Sequence, residues 1–228
     1  MRIAVLADIH GNIDALEAVY KDLKNFSPDM VLIAGDIIGG GPDSKAVCDY
    51  LDNIDHIAVK GTHEELMLGV ISGKIDPSWS QAAKIAQTEA MLLGQGYIDY
   101  FGALPDHRII NLTGGIDICL AHGIPGNTWR TICQNAREDD VESNETLKSR
   151  FLTRCETENV LEECAVSLFI TAHSHSQFCR PINGVTILNP GCVQGEFSWS
   201  NEQALAEYAL IDLYKPIIGG LVWHATLR

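Results

Sequence analysis

Short apolar runs, each broken by a cluster of Asp, His, Gly or Asn, set the rhythm of the N-terminal half of the chain. Residues 2–7 read as a buried strand that Asp8 ends. Leu16, Val19, Tyr20 and Leu23 recur at helical spacing, which predicts a helix over about 12–25 packed on the sheet. Pro28 closes it, and Met30-Val31-Leu32-Ile33-Ala34 is the next buried strand. This βαβ unit is expected to be parallel and right-handed. A second helix is predicted over 43–53, after Gly39-Gly40-Gly41-Pro42, and a third strand over 55–59. From 62 to 104 the pattern is largely helical, interrupted near Gly73 to Pro77 and at Gly94 to Gly96. Strands return at 116–121, 166–171, 184–188, 205–213 and about 220–225. Gly114-Gly115 and Asn183-Gly184 have hairpin-turn chemistry, so the second half reads as more antiparallel. Residues 124–163 form a polar, highly charged segment ending in a predicted helix near 144–163. It reads either as a cap over the ligand ends of the strands or as a solvated excursion; the expectation is one domain, 1–228, with 124–163 as its cap.

The polar interruptions carry the chemistry. Asp8-Ile9-His10, Gly35-Asp36, Gly61-Thr62-His63-Glu64, Ala121-His122-Gly123 and His173-Ser174-His175 each follow an apolar run. An open α/β sheet gathers its ligands at such strand ends. Asp8 and His10 are two apart, as are His173 and His175, so in an extended chain both members of each pair point the same way. Carboxylates and imidazoles there are awkward core residues unless they bind something. Together they suit one or two divalent transition metals of the Zn, Mn, Fe or Ni kind.

Bulk composition narrows the partners. At 228 residues the chain is long enough for one large domain with a sizeable core. Sixteen Lys plus Arg against thirty Asp plus Glu give a formal charge of −14, which argues against long nucleic acid as a partner. A small phosphorylated substrate stays open, because bound divalent ions supply the positive charge that the side chains lack. Met1 to Ala7 is too short, and too soon interrupted by Asp8, to be a signal peptide or a membrane span. A cytoplasmic location and no membrane association are therefore expected, with the seven cysteines reduced. No Cys-x-x-Cys occurs, and Cys119 and Cys164 read as small core residues. Oligomeric state has no readable code.

Asp8-Ile9-His10-Gly11-Asn12, Gly35-Asp36, Gly61-Thr62-His63-Glu64, His122-Gly123-Ile124-Pro125, His173-Ser174-His175 and Asn189-Pro190-Gly191 resemble the calcineurin-like metallophosphoesterases. The short prokaryotic phosphodiesterase branch, with its diadenosine tetraphosphatase-like members, is most similar. The resemblance implies a four-layer α/β/β/α sandwich and a two-metal site at the strand ends. It implies a first ion on Asp8, His10, Asp36 and His175, and a second on Asp36, His122 and His173. The family supplies an Asn to the second ion where this chain has Thr62. A hydroxyl is shorter than a carboxamide and a poorer donor, so the second site is expected to be weaker, exchangeable or filled only with substrate. Binding through a water, or recruitment of Glu64 or Glu65, are alternatives. His63 matches the family's histidine near the scissile phosphate, with the role of stabilising or protonating the leaving group. The implied reaction is hydrolysis of a small phosphodiester or nucleotide by a metal-activated hydroxide, without a covalent intermediate.

Other residues carry weaker signals. Asn12 is either a substrate contact or a helix cap. Arg130, shortly after the His122 motif, is a candidate for a second phosphate; Arg150 and Arg154, i and i+4 on the predicted helix, are others, against surface pairing with Glu138, Asp139 or Glu158. Glu64 suits the first turn of a helix on dipole grounds alone. Gly39-Gly40-Gly41-Pro42 lacks the lysine of a phosphate loop and reads as turn chemistry. His56, His107 and His224 read as structural or exposed, and Trp79, Trp129 and Trp199 as packing residues before a base-stacking pocket. Gly35-Asp36-Ile37-Ile38 lacks the Asp and Arg that the protein serine/threonine phosphatase branch carries after its Gly-Asp. A non-catalytic scaffold, as in the retromer subunit of this fold, is the alternative; Thr62 favours it and the intact Asp and His residues oppose it.

Overall fold

In a computed structural model, which describes residues 1–132, 141, 145–195, 205–214 and 222–228, the apolar runs pair into two five-stranded sheets. The first sheet has the order β10 (Val222–Leu227), β9 (Ala209–Tyr214), β1 (Arg2–Leu6), β2 (Met30–Ile33), β3 (Ile57–Ala58). Its β1, β2 and β3 are parallel, with Ala4 opposite Val31 and Ile33 opposite Ala58; β9 runs antiparallel to both β1 and β10. The second sheet has the order β4 (His107–Leu112), β5 (Ile116–Ala121), β6 (Leu168–Ile170), β8 (Val185–Asn189), β7 (Phe178–Ile182). Here β5, β6 and β8 are parallel, and the hairpins β4–β5 and β7–β8 close the two edges.

Strand alternation divides the core into layers. Ala4 and Leu6 of β1 face a cluster formed with α1 (Ile13–Leu23), α2 (Ser44–Leu51), α3 (Thr62–Ile71), α4 (Gln81–Leu93) and α5 (Gln95–Ala103). Ile3, Val5 and Ala7, one residue out of phase, pack between the sheets against Ile118, Leu120, Leu168 and Leu188. Both faces of β1 are dry, which is why its sequence is a continuous apolar run. Each fully buried aliphatic side chain contributes roughly 1.5–3 kcal/mol relative to exposure. On the outer face of the second sheet, Cys119, Phe169 and Ile187 pack against Ile132, Leu152 and Leu161. The last two belong to the stretch around α6 (Glu145–Arg150) and α7 (Arg154–Cys164). Helices, sheet, sheet and helix therefore form the expected four-layer α/β/β/α sandwich.

Several local expectations need correcting. The helix near 144–163 is two helices. Phe151 leaves the helical path to bridge Thr131, and Thr153 starts α7 in a capping box with Glu156. Arg150 and Arg154 therefore do not share a helix face. The described part of 124–163 supplies the fourth layer on the second sheet; residues 133–140 and 142–144, with Glu138 and Asp139, lie outside the described residues, as does Trp199 and the side chain of His224. Strands β4 and β7, partners of the two expected hairpin turns, were not anticipated; the alternation in β4 leaves Arg108, Ile109 and Asn111 exposed, so no apolar run announces it. The region 62–104 is three helices and a short 3-10 turn at Pro77–Trp79. No helix among the described residues is long and apolar enough to cross a membrane.

Candidate metal centre

The parallel strands of both sheets deliver their C-terminal ends to one place. Loops after β1, β2, β5 and β6 carry Asp8 and His10, Asp36, His122, and His173 and His175 respectively, while α3 starts beside them with Thr62 and His63. The converging pairs are not extended, as simple alternation would have it. Asp8, His10, Asp36, His173 and His175 all have positive φ, from 48° to 66°, and are five of the eight such non-glycine residues described. The left-handed kinks, rather than strand pleating, turn these side chains inward. Such strain gathers at functional sites because only surrounding structure can hold it.

The donors form overlapping groups. Asp8, His10 and His175 make one, His10, Asp36 and His63 a second, and Asp36, His122 and His173 a third, each with its donor atoms within 4.8 Å of one another. His10 Nε2 lies 3.8 Å from Asp8 Oδ1, 3.8 Å from Asp36 Oδ2 and 3.1 Å from His175 Nε2. On the other side, His122 Nε2 is 3.3 Å from Asp36 Oδ2 and 3.3 Å from His173 Nδ1. The outer nitrogens are already used. His10 Nδ1 faces the Gly39 carbonyl at 2.9 Å and His122 Nδ1 the Ala34 carbonyl at 2.8 Å. A carbonyl only accepts, so both rings carry the proton on Nδ1 and present Nε2 to the cluster, the arrangement of metal-bound histidines.

The fit to a cation rests on the Asp8 carboxylate. Both of its oxygens are fully buried and neither has a hydrogen-bond partner. A buried carboxylate without a hydrogen bond, with only imidazoles at 3.5–4.0 Å beside it, is costly, and a divalent ion among these oxygens and imidazoles would remove that cost. The titration pattern tells of the same concentrated charge. Burial alone would raise the Asp36 carboxyl, yet His122, His63 and His10 hold it well below the usual range. Burial would lower His122, but Asp36 and Asp8 bring it up to about 9. Against burial, the contacts with Asp8 and Cys192 raise His175 to about 11, whereas burial and the His122 charge push His173 down to about 4.

Residues 1–177 match the calcineurin-like phosphoesterase family. The chain belongs to the calcineurin-like phosphoesterases. Over 67 residues the chain is 36% identical to an uncharacterized protein of Methanocaldococcus jannaschii, a stretch covering 29% of this chain and 28% of that relative. Among solved structures, a hypothetical protein from Pyrococcus horikoshii superposes with a TM-score of 0.70 at 17% identity, over 92% of this chain and 83% of that one. A metallophosphoesterase from Sphaerobacter thermophilus gives a TM-score of 0.61 at 22% identity, over 99% of this chain and 87% of that one. These likenesses bear on the fold.

The structure places the remaining candidates unevenly. Thr62 Oγ1 donates to Asp36 Oδ2 at 3.0 Å, and the His63 backbone N–H donates to Asp36 Oδ1 at 2.8 Å, so the start of α3 grips the shared carboxylate. The His63 ring stands edge-on to that of His10, centroids 4.8 Å apart. Glu64 and Glu65 do not stand in for the family's asparagine. Glu64 turns away from the cluster to accept from the backbone N–H groups of Asp36, Ile37, Ile38 and Gly61 at 2.8–3.1 Å. Burial and the Asp36 charge raise its carboxyl, while those N–H groups favour the ionised form. Glu65 accepts from Thr128 Oγ1. Asn12 caps α1 through Ala15 N–H and donates to the Gln194 carbonyl at 3.2 Å. Arg130 is paired in bidentate fashion with Glu156, at 2.9 and 3.1 Å, and also donates to the Phe151 carbonyl; a phosphate contact from it would have to break that pair. Arg150 reaches the His173 carbonyl at 3.4 Å, and Arg154 pairs with Glu158.

Other residues shape the site with little or no signature in the sequence. Gly39 does more than make a turn: at φ +111° its bare Cα touches the His63 ring, where an added Cβ would fall 1.9 Å from Nδ1. Asn189, fully buried, donates to the Ala172 carbonyl and Ser174 Oγ and so braces the His173–His175 loop. Its place in Asn189-Pro190-Gly191 was a usable signal. Glu89, buried on α4 and bonded to the Gly39 loop, had none, because fifty residues separate it from that loop. His56 bonds the Ile54 carbonyl and Tyr100, and His107 bonds Asp106, as structural histidines do. Trp79 is 66% exposed and Trp129 38%, so neither is a core residue.

Proposed function

We propose that this phosphoesterase hydrolyses a small phosphodiester or nucleotide with divalent transition metals of the Mn, Fe, Ni or Zn kind at the donor cluster. Asp8, His10, Asp36 and His175 would hold one ion; Asp36, His122 and His173 would hold another. The observation that carries this reading is the buried Asp8 carboxylate, without a hydrogen-bond partner, facing two imidazoles whose Nε2 atoms converge on it. When bound, such ions neutralise phosphate charge and lower the pKa of water. The chain's own residues do the rest. Asp36, clamped by Thr62 and the His63 N–H, keeps a fixed orientation between the two groups of histidines. His63, on the rim beside His10, donates a proton to the departing oxygen. The strongly acidic surface directs the choice of substrate to a small one rather than to long nucleic acid.

A second reading, a metal-binding scaffold without turnover, draws on Thr62, whose hydroxyl gives its proton to Asp36 and is a poorer donor to an ion than a carboxamide. Elemental analysis after Mn²⁺ loading, with hydrolysis of bis(p-nitrophenyl) phosphate, decides between them. The expected result is turnover that Asp36→Asn lowers at least about 100-fold, more than loss of an outer hydrogen bond costs. Tight metal binding with no turnover on mono- or diesters, even after Thr62→Asn, would move the assignment to the scaffold.

A further inference from the structure

Glu89 lies on the buried side of α4, 8% exposed. Its Oε1 accepts from the Gly39 N–H at 3.0 Å and from Ser44 Oγ at 2.5 Å. The Gly39 carbonyl in turn meets His10 Nδ1 at 2.9 Å, and the Gly39 Cα lies against the His63 ring. One glycine thus touches both a metal-ligand candidate and the candidate acid; its N–H is held by a carboxylate from a distant helix, and at 3.4 Å by Ser44 Oγ, which that carboxylate itself holds. Glu64 braces the loop as far as Ile38, but beyond it Gly39 and Gly40 both have positive φ, and a Cβ at Gly40 would meet open space. Without the Glu89 acceptor the Ile38–Gly39 peptide loses its strongest hold, and through the permissive φ and ψ of Gly39 the next peptide's carbonyl no longer selects one nitrogen of His10.

We propose that Glu89 is a positioning residue: through Gly39 it fixes the proton of His10 on Nδ1 and seats the His63 ring. The assignment rests on the donor cluster being the metal site proposed above. Glu89 touches neither the donors nor any reacting atom, so its effect is on ring orientation and ion affinity.

The test uses the full-length protein with Glu89→Met, which keeps bulk and removes the acceptor, Glu89→Ala as a second deletion, and Glu89→Gln, which keeps an acceptor oxygen. Long-range ¹H–¹⁵N spectra of the metal-free, histidine-labelled protein report the His10 tautomer, and Zn²⁺ titration reports affinity. Expected are a single Nδ1–H tautomer in the wild type and mixed tautomers in Glu89→Met or Glu89→Ala. Zn²⁺ binding at the first site should weaken roughly 10–100-fold, with Glu89→Gln restoring most of it. In hydrolysis assays, kcat should fall while KM stays within about twofold. An unchanged tautomer and unchanged Zn²⁺ affinity in either folded deletion variant would reduce Glu89 to a packing residue and overturn the proposal. Absence of hydrolysis in the wild type would sink the catalytic reading alone, since the tautomer and Zn²⁺ readouts judge Glu89 without it.

Discussion

On one side of Asp36 stand Asp8, His10 and His175; on the other stand His122, His173 and the hydroxyl of Thr62. The first side offers two carboxylates and two imidazoles, with His10 oriented by the Gly39 carbonyl. The second offers one shared carboxylate and two imidazoles, with His122 oriented as firmly by Ala34. The two sides therefore do not differ in preorganisation. They differ in donor count, and the difference comes down to Thr62, whose short hydroxyl gives its proton to Asp36. An inventory of motif letters would call the second side damaged, yet its imidazoles are held as firmly as those of the first.

The largest effect should come from removing what both sides share. Glu64 holds four backbone N–H groups of the Asp36 loop and the start of α3, and Gln has only one acceptor oxygen to offer them. Glu64→Gln should lower unfolding stability by about 3 kcal/mol or more, read by urea titration, because buried donors are left unmade. Binding at both sides should weaken together; loss at one side only would show that Asp36 is held by something else. A smaller and one-sided change should follow from Thr62→Asn. Calorimetric titration should show the second ion binding about 10–100-fold tighter, about 1.4–2.8 kcal/mol, with the first unchanged. Equal tightening of both would erase the distinction drawn here.

The smallest effect lies beside the second side, where Arg130 ties Glu156 to the segment that also sends Arg150 to the His173 carbonyl. Hydrogen bonds from Arg130 hold the Glu156 carboxyl down to about 2, against an ordinary value of 4.5. The folded state binds this proton more weakly than the unfolded one, so the contribution is complete above about pH 4.5 and lost as pH falls toward 2. With its side chain 40% exposed, solvent screening limits the gain to about 0.5 kcal/mol. Melting curves of wild type and Glu156→Gln should therefore approach each other from about pH 4.5 and converge only near pH 2, and a gap that stays constant over that range would assign the difference to packing.

The layered fold was legible because β1, β2, β5 and β6 are buried on both faces and so write continuous apolar runs. Strand β4 was not, since half of it faces solvent and its pairing depends on β5 rather than on its own pattern. At the site, the residues that touch the cluster announced themselves by type and by position after a strand. The residues that hold them did not. Glu64 looked like an ordinary first-turn acid, and Glu89 like any polar position on a helix; their partners are backbone N–H groups, which leave no mark on the sequence. The break between α6 and α7 was hidden for a similar reason: Phe151 obeys a bridge to Thr131, twenty residues away.

The left-handed backbone at Asp8, His10, Asp36, His173 and His175 has a price for the molecule as a whole. At about 1 kcal/mol for each non-glycine residue so placed, the five together approach 5 kcal/mol, the size of a small domain's entire net stability. The doubly buried strands on either side must carry that burden at rest, before any ligand arrives. Glycine in place of His10 or His175 would abolish a donor and relieve the backbone at the same stroke, leaving a less capable and sturdier protein. Five strained residues gathered at one spot are thus a cost that packing alone does not require.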